Sequence, residues 1–209
     1  MSRRLVLLLV AALYAGCGRS SERTILYRAD RPIAERLQPG DTRVVVQMPA
    51  TQNAAAAGPQ ESFEQEITRL KTAEIVAVVR VTRTEGEVAD RGTWINTRVH
   101  ADVERVFRVP PGRELGDAIE FTFGGGSSRI GAVEVSTGKY PTFRDGEQYL
   151  VVLQTRRGTA SSLTWSGTAF HVSAEGQLQR VRINDGSEQS LRTNLVGRTL
   201  SEVADALDR

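Results

Sequence analysis

Apolar positions between residues 74 and 154 recur with a period of two. The clearest case is Trp94 to Val103, where Ile95, Thr97, Val99, Ala101 and Val103 alternate with Trp94, Asn96, Arg98, His100 and Asp102. That pattern predicts a strand with one face in a core and the other in water. Val103, Val106 and Phe107 cannot share one face of a regular strand, which predicts a bulge near Glu104 and Arg105. Before this strand runs the apolar stretch Ile75 to Val81. After it, Ile119, Phe121 and Phe123 alternate again beyond the turn Pro110, Pro111, Gly112, and Asp145 with Gly146 precedes the strand Tyr149 to Leu153. Two further strands are expected at Thr164 to Val172 and Gln177 to Ile183, joined through Glu175 and Gly176.

Helical spacing appears at the two ends of this β-rich stretch. Ser62 and Gln65 have the spacing of a capping box ahead of Phe63, Ile67 and Leu70, so residues 63–73 are predicted to be helical. Thr199 and Glu202 repeat the box before Leu200, Val203, Ala204 and Leu207, an apolar stripe expected to pack against the barrel. Upstream, Arg43 to Met48 reads as a short strand, Ile25 to Leu37 as a segment with a helical turn near Asp30, and residues 18–24 as a polar tether. Residues 49–61, PATQNAAAAGPQE, have linker composition.

The fold class expected is mainly β: a small OB-like barrel with a helix before it and a C-terminal helix. Residues 17–61 form an arm, and residues 62–209 the barrel domain. Residues 1–16 read as an export signal, with Arg3 and Arg4 before the apolar run Leu5 to Leu13 and the small residues Ala15 and Gly16 before Cys17. That run is well short of the roughly 20 residues a spanning helix needs. LYAGC resembles the lipobox of bacterial lipoproteins, with Tyr14 where an aliphatic residue is usual. The resemblance implies cleavage before Cys17, lipidation of that residue, and a membrane partner reached through a lipid anchor. Cys17 is the only cysteine, so it has no disulfide partner within the chain. Gly18 stands where an aspartate would favour the inner membrane, so the expected address is the cell envelope, at the outer membrane.

Removing Arg3 and Arg4 changes the charge picture. The 27 basic residues less these two match the 25 acidic ones. A neutral chain without a basic block gives no electrostatic reason to expect nucleic acid as a partner.

No motif for chemistry stands out, and neither a cofactor nor a metal is expected. His100 and His171 are the only histidines, and a zinc site would need both plus carboxylates from distant strands. Gly124, Gly125 and Gly126 lack the lysine of a phosphate loop and read as a flexible loop. Ser166 before Gly167 lacks the leading glycine of a nucleophile elbow. No catalytic residue is therefore assigned. The side chains marked as a possible binding surface are Trp94 and His100.

The helix leading into AEIVAVVRV, VERVF before a Pro and Gly turn, and PTFRDGEQYLVVL together resemble the netrin-like and tissue-inhibitor-like modules. Those are OB-type barrels of exported proteins, and the resemblance spans about residues 63–155. Such modules carry disulfides, whereas this chain has Cys17 alone. The function expected is a non-catalytic binding or assembly module of the envelope, with an envelope protein or a glycan as its partner. Two alternatives stay open: a glycan-binding surface protein, and an enzyme using His100 and Asp102.

Overall fold

The structure is a computed structural model, and it describes residues 22–48, 61–156, 162–189 and 193–209. Its centre is a closed five-stranded barrel. The barrel strands are β3 (Ile75–Ala89), β4 (Trp94–Arg108), β5 (Ala118–Gly124), β8 (Gln148–Thr155) and β9 (Leu163–Val172). Their order around the barrel is β3-β4-β5-β9-β8, and the β8–β3 pairing completes the circle. Every pairing is antiparallel except β5 with β9. Numbered within the barrel, the first strand pairs with the second and fourth, and the third with the fifth. This is an OB-like arrangement.

Alternation sorts the barrel side chains as the sequence predicts. Ala77, Val79, Val81, Val99, Ala101, Phe121, Phe123, Val151 and Leu153 fill the interior with Phe143 and Tyr149. Phe143 lies at the centre of the aromatic contacts, with ring centroids 4.9 Å from Tyr149, 5.6 Å from Phe123 and 5.7 Å from Phe121. Register shifts leave Glu104 unpaired between Arg105 and Val103, the bulge the broken alternation predicts. It puts Glu104 within reach of Arg80, whose Nε donates to Oε1 at 2.6 Å.

Ile75 to Val79 are all buried because β3 is covered on both faces. Its outward residues Val76 and Val78, with Leu150, Val152, Phe170 and Val172, carry the two helices α1 (Phe63–Thr72) and α2 (Leu200–Asp208). Both capping boxes form: Ser62 with Gln65, and Thr199 with Glu202. Glu66 of α1 is fully buried, and both of its carboxylate oxygens accept from the Asn194 N–H at 3.1 Å. This bond ties the first helix to the segment that leads into the last.

Three expectations need correction. The first concerns residues 22–37: Glu22–Leu26 is a strand, β1, and the helical turn shrinks to a 3-10 turn at Ala34–Arg36. Ile25 and Ile33 are drawn into a shared cluster with Val44, Val46, Ile95 and Val135, which favours an extended segment over a helix. The second concerns Gly124 to Gly126. Gly125 and Gly126 are buried, with φ of 106° and 145°, and they turn the chain out of the barrel into the hairpin of β6 (Ser127–Ile130) and β7 (Val133–Thr137). The third is the strand expected over residues 177–183. The observed β10 is Leu178–Arg180, because Val181 turns into the barrel core and Ile183 bridges to Pro141.

A second sheet has the order β1-β2-β7-β6, where β2 is Arg43–Gln47. β1, β2 and β7 run parallel. Gly86 lets this sheet approach the barrel: a Cβ there would lie 1.6 Å from the Ser127 carbonyl oxygen. The β6 backbone therefore crosses β3 where β3 has no side chain.

Candidate functional site

The parallel strands of the second sheet end together, β1 at Leu26, β2 at Gln47 and β7 at Thr137. Beside these ends lies a groove of about 680 Å³, lined by Leu26, Gln47, Met48, Trp94, Thr137, Lys139 and the glycines 124, 125 and 138. Trp94 opens β4 and packs half-buried on the arm, edge to face with Tyr27 at a centroid distance of 5.2 Å. Its indole nitrogen would lie 3.4 Å from a Cβ at position 124, so glycine leaves that edge of the ring room. Leu26 is 60% exposed at the rim. Lys139 is paired with Asp185 at 2.9 Å.

The glycine run is held by hydrogen bonds to β4 and β7. The Gly125 N–H donates to Ile95 O at 2.9 Å and the Gly126 N–H to Thr137 Oγ1 at 2.9 Å, while Thr97 Oγ1 donates to Gly125 O at 2.8 Å. A phosphate loop needs successive N–H groups pointing at its ligand. Here two of them are already used inside the fold.

His100 belongs to a different surface. It sits six residues beyond Trp94 on the same strand, about 20 Å away at the usual rise. The outer face of β4 and β5, which corresponds to the usual ligand face of an OB barrel, carries Asn96, Arg98, His100, Asp102, Glu120 and Thr122. Its charges engage one another. Arg98 reaches Glu87 at 2.6 Å and Glu120 at 3.3 Å, and His100 Nδ1 stands 3.6 Å from the other oxygen of Glu120. Glu120 rather than Asp102 is therefore the carboxylate nearest His100 among the ion pairs of this face. Exposed pairs of this kind contribute at most about 1 kcal/mol each.

Trp94 and His100 thus do not form one site. Trp94 belongs to the groove at the arm and His100 to the charged ladder on the barrel wall. The groove residues Leu26, Gln47, Met48 and Thr137 were not marked in the sequence. A β-strand at residues 22–26 would have been the signal for Leu26, but the charged and polar residues around Ile25 conceal it. Among the described residues, no group of three His, Cys, Asp or Glu side chains is placed to hold a metal ion, and no helix is long and apolar enough to cross a membrane. Cys17 and the rest of the lipobox lie outside the described residues.

No protein-family model matches the chain, and no curated protein sequence matches it either.

Proposed function

We propose that this protein is a lipoprotein of the cell envelope, anchored through an acylated Cys17, whose barrel and arm form a non-catalytic docking module for an envelope protein. The observation that carries the docking part is the groove floored by Trp94 and three glycines. Its lining is mostly apolar and shallow, and its one titratable side chain, Lys139, is held by Asp185. Such a surface suits a segment of a partner chain, which gains affinity by burying Leu26 and Met48. The anchoring part rests on Arg3, Arg4, the apolar run Leu5 to Leu13 and LYAGC. Acyl chains add about 0.8 kcal/mol for each buried CH₂, so two or more hold a protein stably on a bilayer without a spanning helix.

The test is photo-cross-linking in intact cells from a probe at Leu26, with Cys17→Ser as the unanchored control and a probe at His100 as the control for position. A single envelope protein captured from Leu26, and lost with Cys17→Ser, is the expected result. Equal capture from both probe positions would refute the groove. Recovery of polysaccharide alone would replace the protein partner by a glycan. Mass spectrometry of the N-terminal peptide decides the anchor separately, because an unmodified Cys17 thiol excludes it.

A further inference from the structure

A second, polar cavity lies between the start of β8, the end of β9 and β10. Register places Tyr149, His171 and Gln179 opposite one another across these three strands. The turn before β8 folds Arg144 and Glu147 over this row. The Tyr149 hydroxyl donates to Glu147 Oε2 at 2.8 Å and accepts from the Arg144 N–H at 3.0 Å. His171 faces Gln179 Oε1 with Nδ1 at 3.2 Å and Glu147 Oε2 with Nε2 at 3.6 Å. Arg180, Arg182 and Glu188 form the far wall.

The carboxylates of this cavity are already engaged, whereas some of its guanidinium donors are not. Glu147 accepts from the Tyr149 hydroxyl, and Glu188 pairs with Arg180 Nη1 at 3.4 Å. Among the described residues, the buried Nε–H of Arg180 has no acceptor and the exposed Arg182 guanidinium has no partner. Among the described residues, the Arg144 guanidinium pairs with Glu147 alone, at 3.7 Å. Buried donors without acceptors are rare in folded proteins and call for a ligand or ordered water. The volume is about 90 Å³, the share of about three liquid waters. That admits a carboxylate or phosphate group.

We propose that this cavity binds one small oxyanion group, the carboxylate or phosphate end of a ligand, with Arg182 and the Arg180 Nε–H as its donors and Arg144 at its mouth. The guanidinium fork suits both oxyanions, since its N–H groups match their oxygens pairwise. The inference is independent of the anchor and of the groove at Trp94.

The experiment titrates the full chain, purified in detergent, with sodium phosphate and separately with sodium acetate, against sodium chloride at equal ionic strength. The Arg180 Nε–H resonance is followed by NMR. A saturable shift is expected with a Kd on the order of 1 mM, weakened about tenfold in Arg182→Gln and unchanged in Arg129→Gln, which alters an exposed arginine on β6. A response to one anion alone identifies the oxyanion. Arg182→Lys keeps the charge and loses the fork, so it should bind between wild type and Arg182→Gln. The proposal is overturned by a shift that chloride reproduces, by the absence of saturation with both anions, or by a saturable shift that neither Arg182 variant weakens.

Discussion

Gly86→Ala should destabilise the protein more than an alanine at any open glycine, and the structure gives the reason atom by atom. The new Cβ would stand 1.6 Å from the Ser127 carbonyl oxygen and 2.6 Å from its carbon. Ordinary contact between such atoms is about 3.5 Å, so β6 and β3 would have to part by about 1.5 Å or more. The obstacle is backbone, which cannot rotate away as a side chain would. β6 is also pinned through the corner at Gly125 and Gly126, where Thr97 and Thr137 hold the chain. Overpacking of this kind costs about 3 kcal/mol, the upper end of its usual range. With a urea m-value of about 2 kcal/mol/M, the unfolding midpoint should fall by about 1.5 M. Gly138→Ala is the control, since a Cβ there meets nothing within 4 Å; its midpoint should stay within about 0.5 M of wild type. Equal midpoints for the two variants would refute the close crossing of β6 over β3.

Other outcomes follow from the same contacts. Glu66→Ala removes a buried hydrogen bond to Asn194, and chemical denaturation should show a loss of about 2 kcal/mol; an unchanged midpoint would mean that α1 is not tied to the segment before α2 there. His100→Ala deletes one member of an exposed ladder and should shift stability by less than about 0.5 kcal/mol, while a phenotype in cells without loss of folded protein would bring the enzyme reading forward. Asp185 lies well below the ordinary carboxylate range because the Ser187 hydroxyl and then Lys139 bind its charged form, and Asp41 is lowered by Arg23 and the Gln38 N–H. A folded value below the unfolded one means that the stabilisation is present above about pH 4 and is lost as pH falls through the folded value. Melting temperatures taken from pH 6 down to pH 2 should therefore drop less steeply for Asp185→Asn than for wild type, and parallel curves would contradict the assignment.

The barrel was largely legible in the sequence because its information is local. The alternation from Ile95 to Ala101 follows from the strand period, and the clash of Val103, Val106 and Phe107 marks the bulge at Glu104. Both capping boxes announce their helices. What remained hidden depends on partners distant in sequence. SSRI at residues 127–130 has no apolar period, and becomes a strand through its antiparallel partner β7. Glu22–Leu26 is one through β2. The glycine run reads as flexible until the partners of its N–H groups are known. At the candidate sites the residue types were visible, but their company was not. Tyr27 beside Trp94 comes from the packing of the arm, and Glu120 beside His100 comes from the β4–β5 register.

The parallel pairing of β2 with β7 also sets an order of assembly. Synthesis runs from the N-terminus, so β1 and β2 are made before the barrel's first three strands, and their partner β7 is made only after all three. Until then the arm has a hydrophobic face with Val44 and Val46 and no sheet to join, while the barrel strands β3, β4 and β5 can already pair as neighbours. Contacts that must wait for distant chain form late and leave strand edges open meanwhile. The strands β1 and β2, made before the barrel, can thus be seated only once β7 has followed β5, and the groove at Trp94 does not exist until then.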